Sequence, residues 1–245
     1  MLVNLQEGQV SKSNKFKSSP ISLIGLFLYI FVMFILEEFN SIGNQFIAEL
    51  RDVAVQGDRL RFRKNLERIG EILAYEISKS LPYLPKEIQT PLAKTKANIP
   101  SVNPVIFAVL RAGLPFYQGF LNFFDKAESG FIGAFREEGP GEIKIHLGYH
   151  ASPSLEGKTL ILTDPMLATG KSFIRSIESI LTHGRPEIIH IAAIIASPDG
   201  IKYIKDHLKI PHQLWIGAVD ESLNEKSYIV PGLGDAGDLA FGEKL

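Results

Sequence analysis

Hydrophobic positions change their period along the chain. From Asp58 to Leu81 they recur at three- and four-residue steps (Phe62, Leu66, Ile69, Leu73 and Ile77) between charged positions, which predicts an amphipathic helix. From residue 104 onward they arrive as short apolar runs: Pro104–Leu110, Gly130–Phe135, Leu160–Thr163, Glu187–Ala196 and Gln213–Val219. Such runs suit strands of a parallel sheet, which is covered on both faces and leaves little place for alternating polar side chains. Helical stretches lie between them at Pro115–Phe124, Lys171–Thr182 and Asp199–Leu208. Strand alternating with helix predicts an α/β fold: a doubly wound, mostly parallel sheet with helices on both faces.

Other stretches depart from that rhythm. Glu142–Tyr149 alternates polar and apolar at period two, and Glu137–Lys158 as a whole is expected to form a β-ribbon lid. If the ribbon is extended, His146 and His150 share a face; with no third ligand nearby, they are expected to be solvated rather than metal-bound. Lys86–Lys96 is expected as a second short helix that ends before Pro100. Tyr228–Gly242 holds four glycines and a proline in fifteen residues, which predicts a backbone-rich loop rather than a strand or helix. His190 sits in the middle of an apolar run and is expected to be a satisfied core or sheet-edge residue.

Residues 1–20 are polar and lack a period that could bury a face. They precede Ile21–Leu36, sixteen residues without a charge. A spanning helix wants about 20 such residues, and no small-residue cleavage pattern follows as in a signal peptide. Three readings stay open: translation from Met33, an interfacial or transmembrane anchor, or a packing helix.

Composition narrows the partners. The 245 residues are 45% hydrophobic and 22% charged, enough for one sizeable core, and the net charge is −1. No global basic field exists to hold a nucleic-acid backbone or an anionic membrane, so the expected partner is a small molecule. Cysteine is absent, which excludes disulfides, thiolate zinc sites and a cysteine nucleophile, and agrees with a reducing compartment.

Candidate chemistry concentrates in Leu160–Ser172, LILTDPMLATGKS. An apolar strand stops at Asp164, turns through Pro165–Ala168, and delivers Thr169, Gly170, Lys171 and Ser172 to a helix start. Helix starts carry unpaired N–H groups and partial positive charge, so they attract anions. Gly170 permits close backbone approach, and the Thr169 and Ser172 hydroxyls can donate to phosphate oxygens. A Walker A loop needs Gly five residues before the Gly-Lys pair, and Pro165 holds that place. Asp164 would repel a phosphate lying in the same direction, so it is expected to face hydroxyls or a bound cation. A phosphorylated sugar satisfies both halves. Arg111, at the carboxyl end of another buried run, sits where ligands bind in open α/β sheets; by itself it reads equally as an anion ligand or a structural ion pair.

The stretch DPMLATG resembles the 5-phosphoribosyl 1-diphosphate (PRPP) signature of type I phosphoribosyltransferases. Pro165 stands where most of that superfamily has a second acid and Ala168 where hypoxanthine-type enzymes have a further Asp, and with those residues the stretch is similar to the uracil-specific branch. LRAGL around Arg111 and YIVPGLGDAGDLAFG at Tyr228–Gly242 resemble that branch too, the last most specifically. The resemblance covers about residues 40–245, with 1–39 as an N-terminal extension. It implies transfer of phosphoribose from PRPP to uracil, giving UMP and diphosphate, in cytoplasmic pyrimidine salvage. It further implies Mg²⁺ carried on the PRPP diphosphate rather than held by protein ligands, and a homo-oligomer. PRPP contacts are implied for Arg111, Arg136, Asp164, Pro165, Met166, Leu167, Ala168, Thr169, Gly170, Lys171, Ser172 and Asp235. Uracil contacts are implied for Ile229, Gly234, Asp235 and Ala236, through the backbone at Ile229, Gly234 and Ala236. Lys171 departs from the commoner Gly and reads either as a further phosphate contact or as a solvent-facing side chain. No side chain is an obvious general base, and no motif assigns nucleotide control, GTP included. An orotate-specific site would need a cation for the extra carboxylate, and Tyr228–Gly242 contains none. A non-catalytic PRPP or UMP sensor would be expected to lose Asp164, Thr169 or Asp235, and all three are present.

Overall fold

The apolar runs become neighbouring strands of one sheet. The computed structural model describes residues 32–137 and 144–243, with the backbone alone at 32, 134–137 and 144–150. In chain order the elements are β1 (Val32–Ile35), a 3-10 turn at Leu36–Glu38, α1 (Ile42–Arg51), α2 (Arg59–Ser78), β2 (Tyr83–Gln89), β3 (Lys94–Pro100), β4 (Val105–Leu110), α3 (Gly113–Leu121) and β5 (Glu128–Glu137). They continue with β6 (Lys144–Ala151), β7 (Thr159–Thr163), β8 (Met166–Leu167), α4 (Lys171–Ile180), β9 (Ile188–Ala196), α5 (Pro198–His207), β10 (His212–Val219), β11 (Ser222–Leu223), β12 (Ile229–Val230) and α6 (Ala236–Phe241). The main sheet runs β1-β10-β9-β7-β4-β5-β6, with β8 paired to β9. Every pairing in it is parallel except β5 with β6.

Alternation along the strands divides the interior into two faces. Ile106 and Ala108 of β4 pack with Phe62, Leu66 and Ile69 of α2 and Phe116 and Phe120 of α3. Val105, Phe107 and Val109 face the other way, with Phe173, Ile177 and Ile180 of α4 and Ile204 of α5. The sheet is therefore doubly wound, as the run pattern predicts. The expected helix from Asp58 is α2, capped where Asp58 accepts from Leu60 N (3.0 Å) and Arg61 N (3.1 Å). α2 and α3 meet at Gly70 and Gly119: a Cβ on either would lie 2.3 Å from Phe116 O or 2.1 Å from Glu67 O. His190 is a core residue; its Nδ1 accepts from Trp215 Nε1 at 3.0 Å, and burial lowers its pKa to about 4.

Three expectations are corrected. Lys86–Lys96 is not a helix: β2 and β3 form an antiparallel hairpin around Thr90–Ala93. Pro91 would break a helix there, and it sits instead in a turn where Thr90 N donates to Ala93 O (3.0 Å) and Ala93 N to Thr90 Oγ1 (3.0 Å). The packing-helix reading of Ile21–Leu36, one of the three left open, does not hold over Val32–Ile35, which is a strand. Val32–Ile35 joins the sheet edge beside β10, because four apolar residues there find an unpaired strand to complete. Residues 21–31 lie outside the described residues. Finally, Tyr149 pairs with Gly133 and Leu147 with Ala134, which leaves Gly148 as an extra residue. That bulge breaks the alternation between His146 and His150, so their shared face does not follow from spacing. Among the described residues, no helix is long and apolar enough to cross a membrane.

Candidate active site

β4 and β7 lie side by side, yet their connections part. β4 leads through α3 to β5 on one side, and β7 leads through α4 to β9 on the other. Where crossovers diverge, no helix covers the gap at the strands' carboxyl ends, which is where open α/β sheets bind ligands. Arg111 follows β4 and Asp164 follows β7, so both flank this crevice. The two strand ends are joined directly. Thr163 Oγ1 donates to Phe107 O at 2.9 Å in a buried contact, and a Cβ on Gly113 would lie 3.0 Å from Thr163 O.

The loop after β7 is held by main-chain bonds. Asp164 N donates to Ala192 O (3.2 Å), and its Oδ1 accepts from Met166 N (3.1 Å). Pro165 O accepts from both Ile194 N and Ile195 N at 3.0 Å, and Ser197 N donates to Leu167 O at 3.0 Å. Ser197, fully buried, donates through Oγ to Ala168 O (2.6 Å) and accepts from Gly200 N (3.0 Å), pinning the loop to the start of α5. Gly170 then turns with φ +74°, against Gly200 O, which a Cβ would approach to 2.8 Å. α4 begins at Lys171 with no side-chain cap from Gly170. Thr169 and Ser172 are half-buried at this start, and the Lys171 side chain is exposed.

The C-terminal segment is more ordered than its glycines suggest. Tyr228–Gly242 is not a bare loop: Ile229–Val230 pairs with Ser222–Leu223, and Ala236–Phe241 forms α6. Asp235 caps that helix by accepting from Asp238 N at 2.9 Å, which supplies the start signal that glycine content obscured. Ile229 and Ala236 are buried, Asp235 is half-buried and Gly234 is exposed. A cleft of about 360 Å³ opens between Gln56, Gly57 and Arg59 on one side and Gly234, Asp235 and Asp238 on the other.

Arg111 joins the two halves. Its Nη2 donates to Asp238 Oδ1 and to Gly242 O, both at 3.1 Å, across 127 and 131 residues of chain. Its Nε is buried without a hydrogen-bond partner among the described residues. Arg111 is thus an ion-pair residue and also one with an unmet donor at the crevice. Arg136 lies on β5 three positions past Gly133, the partner of Leu110, so its backbone extends beyond the end of β4. It pairs with Ile145 in the outer part of the ribbon; its side chain lies outside what is described. The inner part, Phe131–Gly133 with Tyr149–Ala151, is simply the edge of the main sheet. The expected ribbon is therefore a continuation of that edge, and its turn, 138–143, lies outside the described residues.

Asp238, Ser197, Arg51 and Asp220 were missed by sequence reasoning. Ser197 followed by Pro198, Asp199 and Gly200 carries a helix-start signal that could have found it. Asp220, an acid at the end of a buried strand just as Asp164 is, offered a weaker one. Nothing local marks Asp238 or Arg51.

The residue pattern of the family described as uracil phosphoribosyltransferase matches 42–243 of this chain. A uracil phosphoribosyltransferase of Porphyromonas gingivalis is 49% identical over 207 residues, spanning 84% of this chain and 96% of the relative. One from Thermococcus gammatolerans is 38% identical over 204 residues, 82% of this chain and 89% of the relative. Among solved structures, the AQ2163 protein of Aquifex aeolicus superposes with a TM-score of 0.77 at 33% identity, covering 86% of this chain and 98% of that one.

Proposed function

The chain belongs to the uracil phosphoribosyltransferase family and is a phosphoribosyl-transferring enzyme, and on that premise we propose how its crevice joins uracil to PRPP, releasing UMP and diphosphate. The C1′–N1 bond forms as the C1′–O bond to diphosphate breaks. Positive charge develops on the ribose ring and negative charge on the leaving group, so catalysis is a matter of placement and charge. Asp164 holds the ribose hydroxyls, with its carboxylate already oriented by Met166 N. Leu167–Ser172 receives the 5′-phosphate at the start of α4, where the left-handed Gly170 lets the main chain come close. Arg111, with Arg136, takes the diphosphate; the unmet Nε of Arg111 supports that role.

PRPP is read as the magnesium complex. Magnesium keeps several waters and needs few protein carboxylates when phosphates supply its ligands. That fits a crevice in which Asp164 is the acid at the end of β7. Carried on the diphosphate, which Arg111 and Arg136 would hold, magnesium would supply charge neutralisation for the leaving group.

Uracil lies against the C-terminal segment, read by the backbone of Ile229, Gly234 and Ala236, with Asp235 serving both substrates. A donor to O4 and an acceptor for N3–H reject cytosine by leaving buried groups unpaired. The observation that carries the reading is the Arg111 bridge, which brings the C-terminal segment to the mouth between β4 and β7. We further propose a homo-oligomer acting in the cytoplasm, where PRPP is made. The β2–β3 hairpin supports the oligomer, since its burial pattern is almost wholly exposed and an isolated two-stranded hairpin is marginal in water. Light scattering would test it, a single-chain mass counting against it. The reaction is tested by offering uracil, cytosine, orotate and hypoxanthine with PRPP and magnesium, to wild type and Asp235→Ala. The expected result is turnover of uracil alone, lost in the variant; failure with every base while PRPP binds overturns the reading.

A further inference from the structure

The turn inside the C-terminal segment is held by side chains from the end of β10 and from α1. Asp220, at the end of β10, is 5% exposed, and its carboxylate accepts from both guanidinium nitrogens of Arg51, at 2.8 and 2.6 Å. The same carboxylate accepts from Gly232 N at 2.7 Å, and Arg51 Nη1 also donates to Gly232 O at 3.3 Å. One ion pair thus grips both the N–H and the C=O of a single residue. Gln56 adds a third hold. Its side-chain nitrogen donates to Leu50 O (2.9 Å) and Arg51 O (3.2 Å) at the end of α1, and to Leu233 O at 3.3 Å.

Gly232 is the pivot of the turn. It adopts φ +64°, and a Cβ on it would lie 2.1 Å from Ile229 O, so the chain doubles back tightly from Ile229. Two residues on comes Gly234. Ile229 and Gly234, both proposed to contact the base, therefore flank the gripped residue on either side. Backbone groups discriminate bases only while they are fixed in position. Part of the grip is near in sequence, since Asp220 is 12 residues before Gly232, but its other members, Arg51 and Gln56 from α1 and the stretch after it, reach the segment from 181 and 177 residues away.

We propose that Arg51, Asp220 and Gln56 are positioning residues that set uracil affinity and the preference for uracil over cytosine, leaving PRPP affinity alone. The proposal rests on the reading that Tyr228–Gly242 binds the base. Arg51 is bidentate here, which Lys cannot reproduce, so the graded series Arg51→Ala, Arg51→Lys and Gln56→Ala separates grip from charge.

The test is steady-state kinetics on the full chain, varying uracil and PRPP separately, with a thermal melt of each variant. The KM for uracil should rise about tenfold or more in Arg51→Ala, since small misplacements near a reacting group are costly. Smaller rises are expected in Arg51→Lys and Gln56→Ala, with the KM for PRPP within about twofold throughout. Should Arg51→Ala fail to fold, Arg51→Lys and Gln56→Ala carry the same test. Equal rises in both KM values, or a lower melting temperature with neither KM changed, would overturn the proposal and leave a purely structural pair. Absence of uracil turnover in wild type would instead overturn the reaction reading, and the positioning role with it.

Discussion

Two regions meet at the crevice and are built in opposite ways. The loop Asp164–Ser172 is laced to its neighbour β9 and to α5 by main-chain bonds and one buried serine, all within about thirty residues of chain. The segment Tyr228–Gly242 pairs locally with Ser222–Leu223 and bonds to Asp220, but it is also held by side chains from far away: Arg51 and Gln56 from the first helical region and Arg111 just past β4. The first region inherits its shape from the sheet. The second has its shape imposed on it. A change of side chain should therefore leave the first largely intact unless it alters the backbone, whereas the second should fail when a remote charge is removed.

Ranked by size, the sharpest probe of the loop after β7 is Asp164→Asn. Asn keeps an oxygen for Met166 N while losing the charge, so the fold should persist and kcat/KM should fall about a hundredfold; an unchanged rate would remove Asp164 from the site. Acid comes next, through His190 on β9. Burial holds its pKa at about 4, below the ordinary 6.5, so the unfolded chain binds the proton first as pH falls. Stability from the neutral ring is complete above pH 6.5 and is lost progressively toward pH 4. Urea titrations should show a loss of about 2 kcal/mol between pH 6.5 and 5, flattened in His190→Gln.

Gly170→Ala alters the backbone itself. The left-handed φ and the contact with Gly200 O should cost about 2 kcal/mol in urea unfolding, and the KM for PRPP should rise while that for uracil does not. Smallest is Lys171→Ala. Its side chain is exposed, and if main-chain groups carry the phosphate, the KM for PRPP should shift less than about threefold. A larger shift would give the phosphate a side-chain ligand.

The same contrast explains what the residues revealed. β4, β7, β9 and β10 were legible because strands buried on both faces must be apolar throughout, and α2 because its apolar stripe follows Asp58. The turn from β7 through Asp164 to the start of α4 was legible because an apolar strand, an acid and a glycine before a helix form one local pattern. The β2–β3 hairpin was misread although Pro91 marks its turn; its exposed strands carry no burial pattern to expose the error. β1 was missed since four residues at a sheet edge take their structure from β10 rather than from themselves. Strand-end positions hinted at Asp220 and Arg111, but their pairing with Arg51 and Asp238 had no local signature, because an ion pair across more than a hundred residues exists only once the chain has folded.

On the proposed reading, the two regions serve different substrates and are held by different means. The measurement that tests it most directly is the pair of KM values, for uracil and for PRPP, in Gly170→Ala and Arg51→Lys side by side. The account predicts a crossed result: Gly170→Ala raises the KM for PRPP alone, and Arg51→Lys raises the KM for uracil alone. If both variants raise the same KM, or each raises both equally, the division between the two regions is wrong.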